Sequence, residues 1–458
     1  MGIHQVDFSA GKVSSCIIRV SLPMIIAEAV NLLYSMVDRI YIGHIPGEGG
    51  LALTGLGLCF PVISLISAFA RLYGFNGGAP LCAMARGRGD NEEAGAILGN
   101  AFVLSFLTAA VLMIAVELFT RPILFAFGAS DATYPYAASY IRIYALGSIP
   151  VLVTLGMNAF INSQGFSSVG MLTVMIGAVT NIILDPILIF LFGLGVKGAA
   201  FATVISQTLS AAFALSFLLS DRAVLKLERR HFRLERKRCM RIIALGTSGF
   251  TMGATNSIVQ IVCNKAAFTW GGDIYVGVMT ILNSVREVFS TPVSGIGSGA
   301  SPVMSFNYGA RNGERTIKAS NFTLLSCLAI TLAVWIAVFS FPRQIAGLFT
   351  EDEAIIEAAI PALRIYFFGF VFMSFQTAGQ QTFVALGKAK QAVFFSLFRK
   401  VVIVVPLTIV LPYFFGIDGV PLAEPISNVI GGLAAYLTMR RIVMPELRQM
   451  RKDGGAEG

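Results

Sequence analysis

The stretch R-I-Y-A-L-G at residues 142–147 recurs in the second half of the chain as R-I-Y-F-F-G at residues 364–369. Further matches follow at this spacing, or at a spacing shorter by one near the end of each half: Phe119 and Phe341, Arg121 and Arg343, Ile123 and Ile345, Phe127 and Phe349, Gly165 and Gly387, Gly198 and Gly419, Ala202 and Ala423, Ile205 and Ile426, Ser206 and Ser427. Apolar matches often arise by chance. Arg, Tyr and Gly residues that match at one spacing are harder to attribute to chance. The sequence therefore predicts two repeated halves.

The composition around this repeat is typical of a membrane protein. Of the 458 residues, 55% are hydrophobic and only 13% are charged, and the mean hydropathy is +0.75. A soluble globular protein carries about 25% charged residues, so this chain has too little polar surface for a water-soluble body. The composition argues against a secreted disulfide scaffold, a fibre or a nucleic-acid binder, and the six scattered cysteines argue against a metal site.

Long apolar blocks separated by turn or charged residues predict the membrane spans, because about 20 apolar residues cross a bilayer as a helix. Membrane β-strands alternate apolar and polar residues, and these blocks do not. We therefore predict an all-α polytopic membrane protein with twelve transmembrane helices near residues 14–43, 50–84, 94–118, 135–158, 168–191, 198–220, 241–268, 273–307, 317–340, 354–385, 391–415 and 419–440.

The repeat groups these helices into two six-helix lobes. Six is an even number, so both halves enter the membrane in the same direction, and the repeat is parallel with a central cavity between the lobes. We predict an N-lobe at 1–220, a basic cytoplasmic linker at 221–241, and a C-lobe with a cytoplasmic tail at 242–458. This architecture suits alternating access and indicates a transporter.

The distribution of Lys and Arg predicts the orientation. These residues crowd the even-numbered loops and the segment 221–241, whereas the odd-numbered loops hold only Arg121, Lys197 and Arg343. The positive-inside rule then places both termini in the cytoplasm, and we expect a multi-pass protein of the bacterial inner membrane. The linker could also bind anionic lipid or RNA, but its role in topology explains its charge, and we predict no nucleic-acid partner.

Asp38 is the first candidate for energy coupling. The chain has no G-x-x-x-x-G-K-[ST] phosphate loop, so we expect no cofactor and a transport cycle driven by a proton or sodium gradient. Glu28, Asn31, Ser35 and Asp38 are spaced by three and four residues and form one polar stripe on helix 1. Acids inside the membrane are costly to keep without a use, which favours a functional role.

Asp185 is the second candidate, in the stretch N-I-I-L-D-P of helix 5 with Asn181 one turn before it. Asp38 and Asp185 each lie about five or six residues short of the outer helix end, so they share a depth and could share a proton or a cation. Structural alternatives are a local charge pair or a helix-dipole interaction: Asp38 with Arg39, Glu28 with Arg71, Arg286 with Glu287, and Glu424 with the dipole of helix 12.

These motifs resemble the multidrug and toxic compound extrusion (MATE) family, and within it the bacterial MepA-type branch. The resemblance covers residues 14 to 442. It is carried by P-M-I-I and V-D-R-I-Y-I-G in helix 1, N-I-I-L-D-P in helix 5, N-Y-G-A-R at 307–311, and G-V-P-L-A-E-P-I-S at 419–427.

The resemblance implies a V-shaped pair of six-helix lobes that exports organic cations in exchange for protons or sodium. It assigns Asp38 and Asp185 to an N-lobe cation site, with Asn181 beside them. Sodium-coupled relatives add acids in helices 7 and 10, where this chain holds Asn256 and Gln376 or Gln380. Proton coupling is therefore expected.

We accordingly expect an antiporter that exports amphipathic cationic drugs and contacts membrane lipids, with a monomer as the simplest state. The cavity candidates are Glu28, Asn31, Tyr34, Ser35, Asn256, Gln376 and Gln380. The alternative is a flippase or exporter of a lipid-linked or peptide substrate, which would need a strongly cationic cavity, whereas the intramembrane Arg and Lys of this sequence are few and spread over both halves. An enzyme is not expected, because no H-E-x-x-H or G-x-S-x-G motif lies inside a span.

Overall fold

The computed structural model describes residues 5–46, 49–350 and 352–456, and within these ranges the chain is helical with no β-strand. The ends of both termini, at 1–4 and 457–458, lie outside the described residues. We label the long helices as α1 Val13–Gly43, α2 Gly49–Gly87, α3 Asn91–Ala126, α4 Tyr134–Leu146 with Ser148–Ser163, α5 Ser167–Leu191, α6 Val196–Leu219, α7 236–271, α8 273–309, α9 Gly313–Ser340, α10 Glu353–Phe367 with Phe370–Ala385, α11 389–410 and α12 Gly419–Ala456.

These helices confirm the predicted all-α class and fall at the twelve predicted positions. The helices α7 and α8 run on as Arg236–Gly309 and are separated only at Gly272, whose positive φ of 64° interrupts the helix. In the described part of the chain, seven helical stretches are long and apolar enough to cross a membrane. The two bent pairs that form α4 and α10 bring this number to nine when each is taken as one span.

The repeat predicted from R-I-Y at 142 and 364 is visible as matching bends. The two parts of α4 meet at Gly147 with a bend of 56°, and the two parts of α10 meet beside Gly369 with a bend of 41°. A Cβ at Gly147 would lie 2.6 Å from the Val204 side chain, and one at Gly369 would lie 2.6 Å from the Pro425 carbonyl. Val204 and Pro425 are themselves repeat-related, at the shorter of the two spacings, so the same close approach recurs in both halves.

The side chains that cap helix N-termini recur in both halves as well. Asp90 caps the N-terminus of α3 by accepting from the Glu93 N–H at 2.9 Å, and Asn312 caps α9 by accepting from the Arg315 N–H at 3.0 Å. Both caps satisfy backbone donors that the first helical turn leaves unpaired. Because Asp90 and Asn312 have the same spacing as the two R-I-Y motifs, the halves share their turn chemistry as well as their hydrophobic pattern.

The contacts divide the chain into two compact units. Unit 1 comprises residues 1–7 and 26–246, and unit 2 comprises 8–25 and 247–458. Each unit has its own hydrophobic core, centred on α2, α4 and α6 in unit 1 and on α7, α8, α10 and α12 in unit 2. The N-terminal half of α1 is thus grouped with unit 2 and the segment 221–241 with unit 1, while the domain boundaries drawn from the sequence stay a prediction.

The N-Y-G-A-R motif explains why the start of the chain belongs to unit 2. The Asn307 side chain donates to the Phe8 carbonyl at 3.0 Å and accepts from Arg315 Nε at 3.1 Å. The Arg315 guanidinium also donates to the backbone carbonyls of Phe8, Ala10 and Gly11 at 2.8–3.0 Å. Charge-assisted hydrogen bonds to carbonyls are strong, so these two side chains bind the segment before α1 to unit 2.

The basic segment 221–241 is packed on α3 rather than extended. The buried Asn100 side chain donates to the carbonyls of His231 and Arg233 at 3.0 and 3.1 Å and accepts from the Glu235 N–H at 3.0 Å. Arg238 pairs with Glu93 at 2.6 Å, so part of the positive charge of this segment is balanced inside unit 1.

Glu92, a second acid of α3, also binds a residue of the segment 221–241. His231 Nε2 donates to Glu92 at 3.0 Å, and this hydrogen bond holds the pKa of the Glu92 carboxyl below its ordinary value. The first turn of α3 therefore anchors the segment through Glu92 as well as Glu93.

Replacing Asn100 by Ala should destabilise unit 1 by about 1–3 kcal/mol, because one buried carbonyl, one partly buried carbonyl and one N–H lose their partner. Thermal unfolding of the purified protein in detergent measures this as a lower Tm. The matched control is Asn91→Ala, at an exposed position in the same helix, which should change stability by less than about 0.5 kcal/mol. Equal shifts for the two variants would contradict the structural role of Asn100.

Candidate ion and substrate site

The structure brings the two predicted acids of unit 1 together. Asp38 is 9% exposed on α1 and Asp185 is fully buried on α5, and their side chains lie within hydrogen-bonding range of each other. Asp185 is followed by Pro186 and a π-helical turn at Ile187–Leu191. Such turns shift the helix register locally and are frequent at functional sites, so this one helps to position the Asp185 carboxyl.

The carboxyl groups of Asp38 and Asp185 accept few hydrogen bonds. Asn181 Nδ2 donates to Asp185 Oδ1 at 3.3 Å, which places the predicted amide beside the acids. The buried atoms Asp38 Oδ1, Asp185 Oδ2 and Asn181 Oδ1 have no hydrogen-bond partner among the described residues. Two facing carboxylates cannot bond to each other unless one of them carries a proton. The arrangement is therefore incomplete without a proton or a cation.

Aromatic hydroxyl groups surround this pair. Tyr34, predicted as a cavity residue, lies close enough to interact electrostatically with both acids. Tyr140 interacts with Asp38 and is within hydrogen-bonding range of Thr203, and Tyr144 lies beside Tyr34. The resulting site combines two carboxyls, one amide and several hydroxyls inside a single unit.

The other residues of the predicted stripe on α1 are more exposed than Asp38. Glu28 and Asn31 are exposed, and Ser35 donates to the Asn31 carbonyl at 2.9 Å, a bond within its own helix. Arg39, the predicted partner of Asp38, interacts with it electrostatically, and its guanidinium also lies 4.6 Å from the centre of the Phe60 ring.

The candidates in unit 2 separate into two groups. Asn256 lines a cavity together with Gln260 and Asn283, whereas Gln376 and Gln380 are buried outside its lining. Gln380 donates to the Ala392 carbonyl and the Ser396 hydroxyl, both at 2.9 Å, and so joins α10 to α11. This contact gives Gln380 a structural use.

The same cavity contains a group of charges that sequence reasoning did not assemble. Lys400 Nζ lies 3.3 Å from Glu424 Oε1, and Arg399 Nη1 lies 3.1 Å from the same oxygen and 2.5 Å from Asn428 Oδ1. Glu424, which was predicted to complement the dipole of helix 12, is bound by two cations of α11, a contact that the sequence did not predict. Arg286 interacts with Glu424 and Tyr366 as well as with its neighbour Glu287, so the predicted local pair with Glu287 is only one of its interactions.

Two sequence signals point to the residues that were missed. Arg399 and Lys400 interrupt an otherwise apolar block, and such charges inside a span indicate a buried partner. Tyr144 and Tyr366 belong to the repeated R-I-Y motif. The structure places Tyr144 near Tyr34, which interacts with the acids of unit 1, and Tyr366 in the cavity of unit 2. The motif thus marks corresponding places in the two halves.

Residues 23–187 and 250–410 match the MatE family model, which corresponds to more than half of the chain and to both halves of the repeat. The chain belongs to the MatE family. The resemblance drawn from the helix 1 and helix 5 motifs is confirmed, and the two matched segments agree with the two repeated halves.

Individual relatives of this MatE-family chain match along nearly its whole length. The multidrug export protein MepA of Staphylococcus aureus strain MRSA252 is 25% identical over 440 residues, which cover 94% of each chain. An outward-facing multidrug resistance MATE family transporter of the MOP superfamily aligns with a TM-score of 0.90 and 26% identity over 99% of this chain and 100% of the other. A MOP superfamily transporter from Pyrococcus furiosus, described as having a binding pocket of reverse polarity, aligns with a TM-score of 0.91 and 26% identity over 98% and 99%.

Replacing Gln380 by Leu should lower the stability of unit 2 by about 1–3 kcal/mol, because the Ala392 carbonyl loses its amide donor. The neighbouring variant Gln381→Leu, at a partly exposed position, serves as the control and should cost less. Thermal unfolding of both purified variants makes the comparison. If Gln380→Leu unfolds at the temperature of the unmodified protein, the amide has no structural role.

Proposed function

We propose that the chain is a secondary multidrug efflux antiporter that exports amphipathic organic cations in exchange for protons. Family membership and the exporter MepA as a relative over 94% of the chain support export of toxic compounds. The observation that carries the proton-coupled part is the pair Asp38 and Asp185, whose buried, facing carboxyls lack donors on one oxygen each. The chain is proposed to act as a transporter and not as an enzyme.

The pair supplies a site at which a proton and a cation compete. With both carboxyls ionised, unit 1 holds negative charge in an apolar environment, and a cationic substrate is attracted there. A proton shared between the carboxyls removes this attraction. Because coupling is reciprocal, a bound cation opposes protonation to the same extent, so proton entry from outside drives substrate release.

The chemistry of unit 2 supports protons rather than sodium as the coupling ion. Sodium binds oxygen ligands, and in an apolar interior a free carboxylate among them would balance its charge. Asn256, Gln376 and Gln380 are neutral, and the buried acid Glu424 is already bound by Lys400 and Arg399.

The alternative is an exporter of a lipid-linked or peptide substrate. The gathering of Arg286, Arg399 and Lys400 in unit 2 favours it, as does a relative whose pocket of reverse polarity was taken to suggest a different function. The cavity beside these cations has room for about one water-sized particle, which is too small for a pyrophosphate group. We therefore prefer a cationic substrate.

We place the protein in the bacterial inner membrane with both termini in the cytoplasm and as a monomer. The excess of Lys and Arg in the loops on one side supports this orientation. The two repeated units each contain their own core, so a second copy is not needed to complete either.

Asp38→Asn and Asp185→Asn should each reduce proton-driven export to the level of empty vesicles, because one remaining carboxyl cannot form the shared site. Proteoliposomes loaded with ethidium and exposed to an imposed pH gradient measure the initial rate. Asp131→Asn is the control, since Asp131 lies exposed in the loop between α3 and α4 of the same unit, and it should retain export. A folded Asp38→Asn variant that exports at the unmodified rate would remove Asp38 from the mechanism.

An imposed sodium gradient at fixed pH should leave the rate of ethidium export unchanged. The measurement uses the same vesicles, with potassium replacing sodium as the control cation. Export that follows the sodium gradient would instead make Asp38, Asp185 and Asn181 a sodium site. Absence of ethidium movement under either gradient would favour the lipid-linked or peptide substrate.

A further inference from the structure

In the described part of unit 2, more positive than negative charge lies around the buried Glu424 carboxylate. Lys400 is 3% exposed, Glu424 is 8% exposed and Arg399 is 11% exposed at the side chain. Arg286 also interacts with Glu424. Glu287 follows Arg286 on α8 but is exposed. One buried carboxylate therefore faces three cations.

Such an excess is costly in an apolar protein interior. A charge that is removed from water is stabilised only by a partner of opposite sign with good geometry. The Glu424 carboxylate neutralises one of the three positive charges. The described part of unit 2 supplies no second carboxylate within ion-pair distance of Lys400 or Arg399. A bound anion would supply the missing negative charge.

Several donors of these cations are also unused. The Lys400 ammonium group has three N–H donors, and its hydrogen bonds go to the two oxygens of Glu424 at 3.3 and 3.5 Å. The buried Nε atoms of Arg286 and Arg399 have no hydrogen-bond partner among the described residues. Donors that are buried and unpaired require an acceptor.

A cavity lies beside these groups. Lys400, Arg286 and Glu424 line it together with the amides of Asn256, Gln260 and Asn283. It has room for about one water-sized particle. Lys400 and Arg399 lie in the π-helical segment Phe398–Val404 of α11, a backbone form that is frequent at functional sites.

The repeat places this cavity at the position that Asp38 occupies in unit 1. At the spacing of the two R-I-Y motifs, Gln260 corresponds to Asp38 and Tyr366 to Tyr144, and at the spacing shorter by one Glu424 corresponds to Thr203. Corresponding positions therefore line both sites, while the charge is reversed: unit 1 holds two carboxyls, and unit 2 holds three cations with one carboxylate.

We propose that the unit 2 cavity binds one small monovalent anion, of the size and charge of chloride, against Lys400 and Arg286. The anion neutralises part of the excess positive charge and accepts hydrogen bonds from donors that the protein leaves unused. Phosphate and longer carboxylates exceed the room in the cavity. The site is distinct from the carboxyl pair of unit 1 and does not depend on its role in proton exchange.

The test follows thermal unfolding of the full-length protein in detergent as chloride replaces gluconate at constant ionic strength and pH. Gluconate is too large for the cavity. The Tm should rise with chloride and then level off, which gives an apparent Kd. Lys400→Met should weaken this Kd by about tenfold or more, because a charge-assisted contact is removed. Diffraction from crystals grown in bromide should place the anomalous signal beside residue 400.

A second variant and a control keep the test decisive. Glu424→Gln removes the competing carboxylate and should strengthen the apparent Kd by about tenfold, even if Lys400→Met does not fold. Lys265→Met removes an exposed positive charge from the same unit and should leave the response to chloride unchanged. The proposal is overturned if chloride and gluconate give the same Tm, if Lys265→Met changes the response as much as Lys400→Met, or if Glu424→Gln leaves it unaltered.

Discussion

The cost of burying charge among apolar helices is the constraint on which the functional features of this protein depend. Each buried charge needs a proton, a counter-ion or a hydrogen-bonded partner. In unit 1 one oxygen of each facing carboxyl, of Asp38 and of Asp185, lacks a hydrogen-bond partner among the described residues, and in unit 2 Glu424 is shared between Lys400 and Arg399. The first arrangement is open to an incoming proton or cation, whereas in the described part of unit 2 the buried acid is paired and positive charge remains in excess.

Most of the fold could be predicted from the sequence because its signals are local and periodic. Apolar block length fixed the helix positions, and the Gly147 and Gly369 bends sit inside the motif that defined the repeat. The compact units were harder to predict, because they depend on non-local contacts. The hydrogen bonds from Arg315 to carbonyls of residues 8–11 join segments from opposite halves of the chain. A hydropathy profile does not predict such contacts.

The candidate site was predicted only where one helix face or one family motif identified it. Asp38, Asp185 and Asn181 satisfy that condition, and the structure groups them. The spacing of three and four residues also selected Glu28 and Asn31, which lie exposed on the same helix, because periodicity cannot separate a buried polar face from a solvated one. Tyr140, Lys400 and Arg399 were missed because their partners come from other helices, and no single-helix pattern reveals such a partner.

The repeat explains how one scaffold could hold two sites of opposite charge. Gly147 and Gly369 fix the same backbone approach in each unit, so the positions that line the two sites are inherited together with the fold. The side chains at these positions are free to differ, as Asp38 and Gln260 do. An excess of cations in unit 2 repels a positively charged substrate, while the carboxyls of unit 1 attract one. In the proposed antiport, opposite charge in two similar units would restrict the competition between a cation and a proton to a single site, and tight coupling between export and proton entry requires that restriction.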